Sequence, residues 1–178
     1  LNKLLQISAG AVYTDDGSTL EFDIRHRYKV LREVIDESSQ KILIFVPFKH
    51  VIDILTDKLR GEGITTEVIR GDVPAHRRTS IFKDFQESVN PRVLVIQPQA
   101  AAHGVTLTAA NTVVWWGPTS SLETYDQANA RVHRSGQKHK STVVQLQGSA
   151  AEKHVYKLLD KRINVHAKLT DLYKEILD

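Results

Sequence analysis

The chain has 178 residues, 41% of them hydrophobic and 25% charged, a composition that suits one folded core and excludes a disordered or fibrous chain. Its formal charge of +3 and pI near 9.1 permit a polyanionic partner without demanding one. The absence of cysteine excludes disulfides, thiolate nucleophiles and thiolate metal sites, and the histidines are scattered without metal-ligand spacing, so no metal is expected.

No apolar run approaches the roughly 20 residues needed to cross a bilayer, and Leu1-Asn2-Lys3 opens no signal-peptide pattern. No membrane partner and a cytoplasmic setting are therefore expected. Methionine is also absent, even at position 1, from which an excised piece of a longer protein is expected.

In chain order, residues 1–22 read as a lead-in from a preceding region, with a turn at Thr14 to Ser18. Five β-branched runs then read as strands: Ile42 to Val46, Thr65 to Ile69, Arg92 to Ile96, Thr112 to Trp116 and Thr142 to Leu146. Near-continuous apolar runs are expected of strands covered on both faces. Helical stripes fall around them: Tyr28, Leu31, Val34 and Ile35; Val51, Ile54, Leu55 and Leu59; Ile81, Phe82 and Phe85. The alternation predicts an α/β fold over residues 23–148, a mainly parallel sheet flanked by helices. Residues 149–178 carry apolar positions every three or four residues up to Leu177 and predict a long helical extension, as one helix or two broken ones. Both packing on its own sheet and contact with an absent lobe remain open for it.

Residues 127–137 read QANARVHRSGQ. Following Leu122 and Tyr125 on an expected helix that Gly136 would end, Gln127, Arg131 and Arg134 stand at i, i+4 and i+7 and would share one face. Guanidinium forks onto phosphate oxygens and suits the charge that spreads over a transferring γ-phosphoryl group. A solvated basic face pairing with nearby acids is the alternative that spacing alone leaves open.

The string Gln-x-x-x-Arg-x-x-Arg-x-Gly-Gln closely resembles motif VI of the Snf-type chromatin-remodelling and DNA-translocase branch of superfamily-two helicases. Other segments resemble that family in its own order. KILIFVPFKHVIDILTDKL (Lys41 to Leu59) is similar to motif IV. RGDVPAHRRTSIFKDF (Arg70 to Phe85) has Gly71, Arg78 and Phe85 in the family's register. VLVIQPQAAAHGVTLTAANTVVWW (Val93 to Trp116) resembles motif V through Gly104 and Leu107.

The resemblance implies a second RecA-like lobe closing over ATP and magnesium held mainly by a first lobe, absent from this chain. Carried over, Arg134 is the arginine finger, Arg131 a second γ-phosphate contact, and Gln127 an orienting amide. Gly104 would let backbone approach nucleotide or DNA. Partners implied are DNA, duplex by analogy with a branch that translocates without separating strands, and the N-terminal lobe. No phosphate loop of the Gly-x-x-x-x-Gly-Lys-[Ser/Thr] type and no Asp-Glu box occur, so this lobe alone is expected to be inactive. A non-catalytic scaffold lobe and an RNA helicase lobe are the rival readings; Gly71-Asp72, also found in DEAD-box relatives, favours the latter and Gly136-Gln137 opposes it.

The sequence also departs from the commoner family pattern. Gln97-Pro98-Gln99 stands where many relatives have Ser-Thr-Arg, losing a hydroxyl and a charge, although glutamine still donates to phosphate oxygens. Trp115-Trp116-Gly117-Pro118-Thr119 looks more like bacterial and phage relatives, and its aromatic pair reads as core rather than a base-stacking platform. Lys49 and His50 after the motif IV strand, Arg70 and Gly71 after the next, and Gln97 and Gln99 after the third all fall at strand carboxyl ends, where such sheets bind ligands. These six are the candidate nucleic-acid contacts. Lys138-His139-Lys140 reads as a solvated turn.

Overall fold

The computed structural model describes residues 1–102 and 104–162. Helix α1 (Asn2–Ala9) and a hairpin of β1 (Ala11–Tyr13) and β2 (Thr19–Glu21) come first. They are followed by α2 (Arg25–Glu37), β3 (Lys41–Phe45), α3 (Lys49–Gly61), β4 (Thr66–Ile69), α4 (Ala75–Glu87) and β5 (Val93–Ile96). A 3-10 turn (Pro98–Ala102), β6 (Ala110–Trp115), α5 (Leu122–Asn129), β7 (Thr142–Gln145) and α6 (Ala150–Asp160) complete the described chain. The later apolar positions of the expected extension, such as Leu169 and Leu172, lie outside the described residues, as does His103.

Five strands form one sheet in the order β4-β5-β3-β6-β7, every pairing parallel. Successive side chains of a strand point to opposite faces, so each apolar strand feeds two cores. Leu43, Phe45, Leu94, Ile96, Val113 and Trp115 face α4, α5 and α6. Ile42, Ile44, Val93, Val95 and Val114 face α2 and α3. The interior strand β5 is therefore apolar and buried throughout, as is β3 after Lys41, whereas the edge strands β4 and β7 leave polar positions partly open. Trp115 and Trp116 are both fully buried, which agrees with their reading as core.

The lead-in is built into this body. Leu5 of α1 joins the core on the α6 side, and the Trp116 indole donates to the Ala9 carbonyl at 2.8 Å. Gly10 turns the chain between them at φ 117°, where a Cβ would stand 2.3 Å from Ile24 Cγ2, so no other residue fits without rearrangement. A buried ion pair closes the same corner: Arg27 meets Glu152 at 2.5 Å, with side chains 9% and 0% exposed. Glu152 also accepts from the Gly148 amide at 2.7 Å, while Arg27 donates to the Trp116 carbonyl. Ser149 caps α6 by accepting from the Glu152 amide at 3.2 Å, so Ser149-Ala-Ala-Glu152 combines a helix start with a long-range tie.

Candidate functional site

The parallel register lines up the carboxyl ends of the strands. Phe45 is level with Ile96 and with Trp115, and Ile69 is level with Ile96, so the loops after these strands emerge on one edge. Gln97 continues the ladder by donating its amide to Ile69 at 2.8 Å. Its side-chain oxygen accepts from the Gly71 amide at 3.3 Å. Gln99 is exposed on the 3-10 turn.

Lys49, Arg70, Gly71 and Gln97 are thereby brought together, but the two cations are engaged. Arg70 donates to Asp72 at 2.8 Å and to Asp53 at 2.5 Å, and Lys49 lies 3.6 Å from the other Asp72 oxygen. Burial opposes ionisation of Asp72, yet Arg70 and Lys49 outweigh it and hold the carboxyl below its ordinary range. His50 turns away from this group. Its ring meets Thr19 Oγ1 at 3.0 Å and lies 4.0 Å from the Tyr13 ring, under the hairpin. Neither Asp53 nor Asp72 is among the candidate contacts read from the sequence; Asp72 stands there only as part of the Gly71-Asp72 pair, next to Arg70, while Asp53 reaches Arg70 only through the fold.

The second group lies on the long connection from β5 to β6. Arg131 Nε donates to the Ala101 carbonyl at 2.9 Å. Arg134 donates to the Gly104 carbonyl at 3.1 Å and to Thr106 Oγ1 at 3.2 Å. Gly104 adopts φ 70°, a left-handed conformation that favours glycine and leaves its carbonyl facing Arg134. Burial, with a further contribution from the charge of Arg134, lowers the Arg131 guanidinium from its ordinary value, and both remain cationic at neutral pH. Among the described residues Arg134 has no carboxylate partner.

The expected single helical face is corrected here. Helix α5 stops at Asn129, and Arg131 and Arg134 lie in the turns beyond it. The Leu107 amide donates to the Arg131 carbonyl at 3.0 Å, taking an acceptor that a continuing helix would need, while the Trp115 indole holds the Asn129 side chain through Oδ1 at 3.0 Å. The local bonds tighten to the i+3 kind, Arg131 to Ala128 and Val132 to Asn129. Gly136 accordingly ends no helix. Gln127 stays on α5, where its amide donates to Glu123 at 2.9 Å, apart from the arginines' partners. Gln137 instead secures the segment: its amide nitrogen donates to the Ala110 carbonyl at 2.8 Å and to those of Thr108 and Val132 at 3.4 Å.

Residues 26–136, which hold both groups, match the family described as the helicase conserved C-terminal domain. The chain belongs to that family. Over 103 residues it is 37% identical to the SWI/SNF-related matrix-associated actin-dependent regulator of chromatin subfamily A-like protein 1 homolog of Caenorhabditis elegans, covering 58% of this chain and 15% of the relative. It is 36% identical over 114 residues to an uncharacterized ATP-dependent helicase of Mycoplasma pneumoniae, covering 62% of this chain and 11% of the relative. The chain thus spans a small part of these curated relatives.

Among solved structures, the C-terminal part of the Fun30 ATPase domain superposes with a TM-score of 0.69 at 25% identity, over 76% of this chain and 44% of that one. The C-terminal domain of the DEAD-box protein Dbp5 gives a TM-score of 0.65 at 23% identity, over 78% of each chain, a likeness of fold alone. This helicase C-terminal domain has Snf-type relatives and a RecA-like fold, as its sequence implied.

Proposed function

We propose that this domain is the second lobe of an ATP-dependent DNA translocase of the Snf type, which supplies Arg134 and Arg131 to a nucleotide gripped by another lobe. The observation that carries the reading is Arg134. Its guanidinium is positioned by a carbonyl and a hydroxyl, neutral acceptors that orient the fork and leave its charge for an incoming anion. A triphosphate fits that donor set, and ATP with magnesium, held mainly by the first lobe, would supply the phosphoryl group. Arg134 then stabilises charge on the transferring group, Arg131 lends a second cation, and the strand-end edge meets the nucleic-acid backbone.

The connection from Gln97 to Ala109 touches both groups, through Gln97 at Gly71 and through Ala101 and Gly104 at the arginines. Movement at one can therefore be felt at the other. Since a guanidinium of this kind is worth roughly 10³ to 10⁵ in rate, Arg134→Ala in the intact protein should lower DNA-stimulated ATP turnover at least about a thousandfold while the fold is kept. Turnover near that of the parent would reject the assignment. Stimulation by RNA in place of duplex DNA would move the reading to an RNA helicase lobe.

A further inference from the structure

At the strand-end edge the cations proposed to meet nucleic acid are already neutralised. Lys49 and Arg70 face Asp53 and Asp72, and Asp72 bridges the two, one oxygen 2.8 Å from Arg70 Nε and the other 3.6 Å from Lys49 Nζ. A backbone phosphate bridges two cations in the same manner, with two oxygens on one centre. Asp53 takes Arg70 from the other side through Nη1 at 2.5 Å. The side chains of Asp53 and Asp72 are 56% and 49% exposed, and their ion pairs run to these cations, so no buried structure depends on them. Arg70 is 28% exposed and uses two of the guanidinium's five N–H donors on the carboxylates. Between them the Gly71 amide makes only a long bond of 3.3 Å to Gln97, a backbone donor that an anion can take over.

We infer that Asp53 and Asp72 stand in for backbone phosphates on Arg70 and Lys49, so that nucleic acid binds this edge only by displacing them. The inference rests on the reading of this edge as a nucleic-acid contact. The two carboxylates thereby set how tightly the domain holds its track: the cations are not available to phosphate until the pairs open, and exposed ion pairs of this kind are weak enough to open. An edge without them would grip backbone more firmly and release it less readily. Tuning of this sort suits a protein that must let go of its track repeatedly.

The test measures binding of the intact protein to a labelled duplex DNA over a series of salt concentrations. Asp53→Asn and Asp72→Asn, which keep shape and remove charge, should each tighten binding about two- to fivefold. The salt dependence should also steepen by about 0.9 for each cation freed to pair with a phosphate. Arg70→Gln serves as the reference. If Arg70→Gln weakens binding while the asparagine variants bind equally or more weakly, the carboxylates position Arg70 rather than compete for it; the inference then falls and the edge remains a contact. If Arg70→Gln alters neither affinity nor salt slope, the edge is no contact and both readings fall. Asp72→Ser repeats the charge removal with a smaller side chain, and it too must tighten binding.

Discussion

Arg134 and Arg70 are both loop arginines of one small domain, yet the fold treats them in opposite ways. Arg134 is held by a carbonyl and a hydroxyl, so its geometry is fixed while its charge stays available. Arg70 is held by two carboxylates, so geometry and charge are spent together. The difference lies in the loops at the strand ends. The connection after β5 presents backbone oxygens, because Gly104 turns the chain left-handed. Beyond β4 the chain instead presents Asp72, and α3 adds Asp53 from its second turn. An arginine is therefore a poor guide to chemistry until the acceptors around it are known.

A third arginine gives the sharpest contrast. Arg27 is both paired and buried, so removing its partner strands a cation out of water. Glu152→Ala should destabilise the domain by about 3–5 kcal/mol, read as a fall in the denaturation midpoint. A loss within that of an exposed pair would mean that the corner relaxes to let water reach Arg27. Next in size comes Gln137→Ala, which removes the donor to three carbonyls around the arginine segment and should cost about 1–3 kcal/mol. Gln137 bonds the connection at its Arg134 end, through Thr108, while Gln97 meets Gly71 at the other, so ATP turnover should fall more than nucleic-acid affinity. An equal loss of both would show that the connection from Gln97 to Ala109 passes the change on in full.

Acid gives the smallest and most selective effect. The Asp72 carboxyl lies below its ordinary value of 3.8, so its contribution is complete above that value and is lost as pH falls through the lowered one. Side-chain NMR of the guanidinium Nε–H should show the Arg70 signal changing below about pH 4, while that of Arg134, bonded to neutral oxygens, stays put over the same range. Equal responses would show that Arg134 too has an acidic partner in solution.

Much of the fold was legible in the sequence, and the reason is local. The apolar runs and helical stripes specify a two-faced parallel sheet because burial on both sides requires them, and the stripes of Tyr28, Leu31 and Ile35 and of Ile81, Phe82 and Phe85 are buried as expected. The order of the motif-like segments carried the family. The features that were not legible depend on distant competitors. Nothing within Gln127 to Gln137 says that the Leu107 amide will take the Arg131 carbonyl, or that His50 will lie under a hairpin closed by Thr19. Glu152 pairs with a residue 125 positions away; the run Ser149-Ala-Ala-Glu152 advertises a helix start but not the arginine behind it. Helix α1 was missed because its short apolar pattern has no side-chain cap to mark it.

The bond from the Trp116 indole to the Ala9 carbonyl also has a mechanical side. Trp116 directly succeeds β6, an interior strand flanked by β3 and β7, and Ser8 ties the same turn of α1 to Ser149 at 2.8 Å. A pull on α1 is thus delivered to the end of an interior strand, one bonded to a neighbour on each side. An edge strand, bonded on one side only, would offer less to hold it. A lobe that is pulled on through its first residues has its handle fastened where the body is hardest to tear.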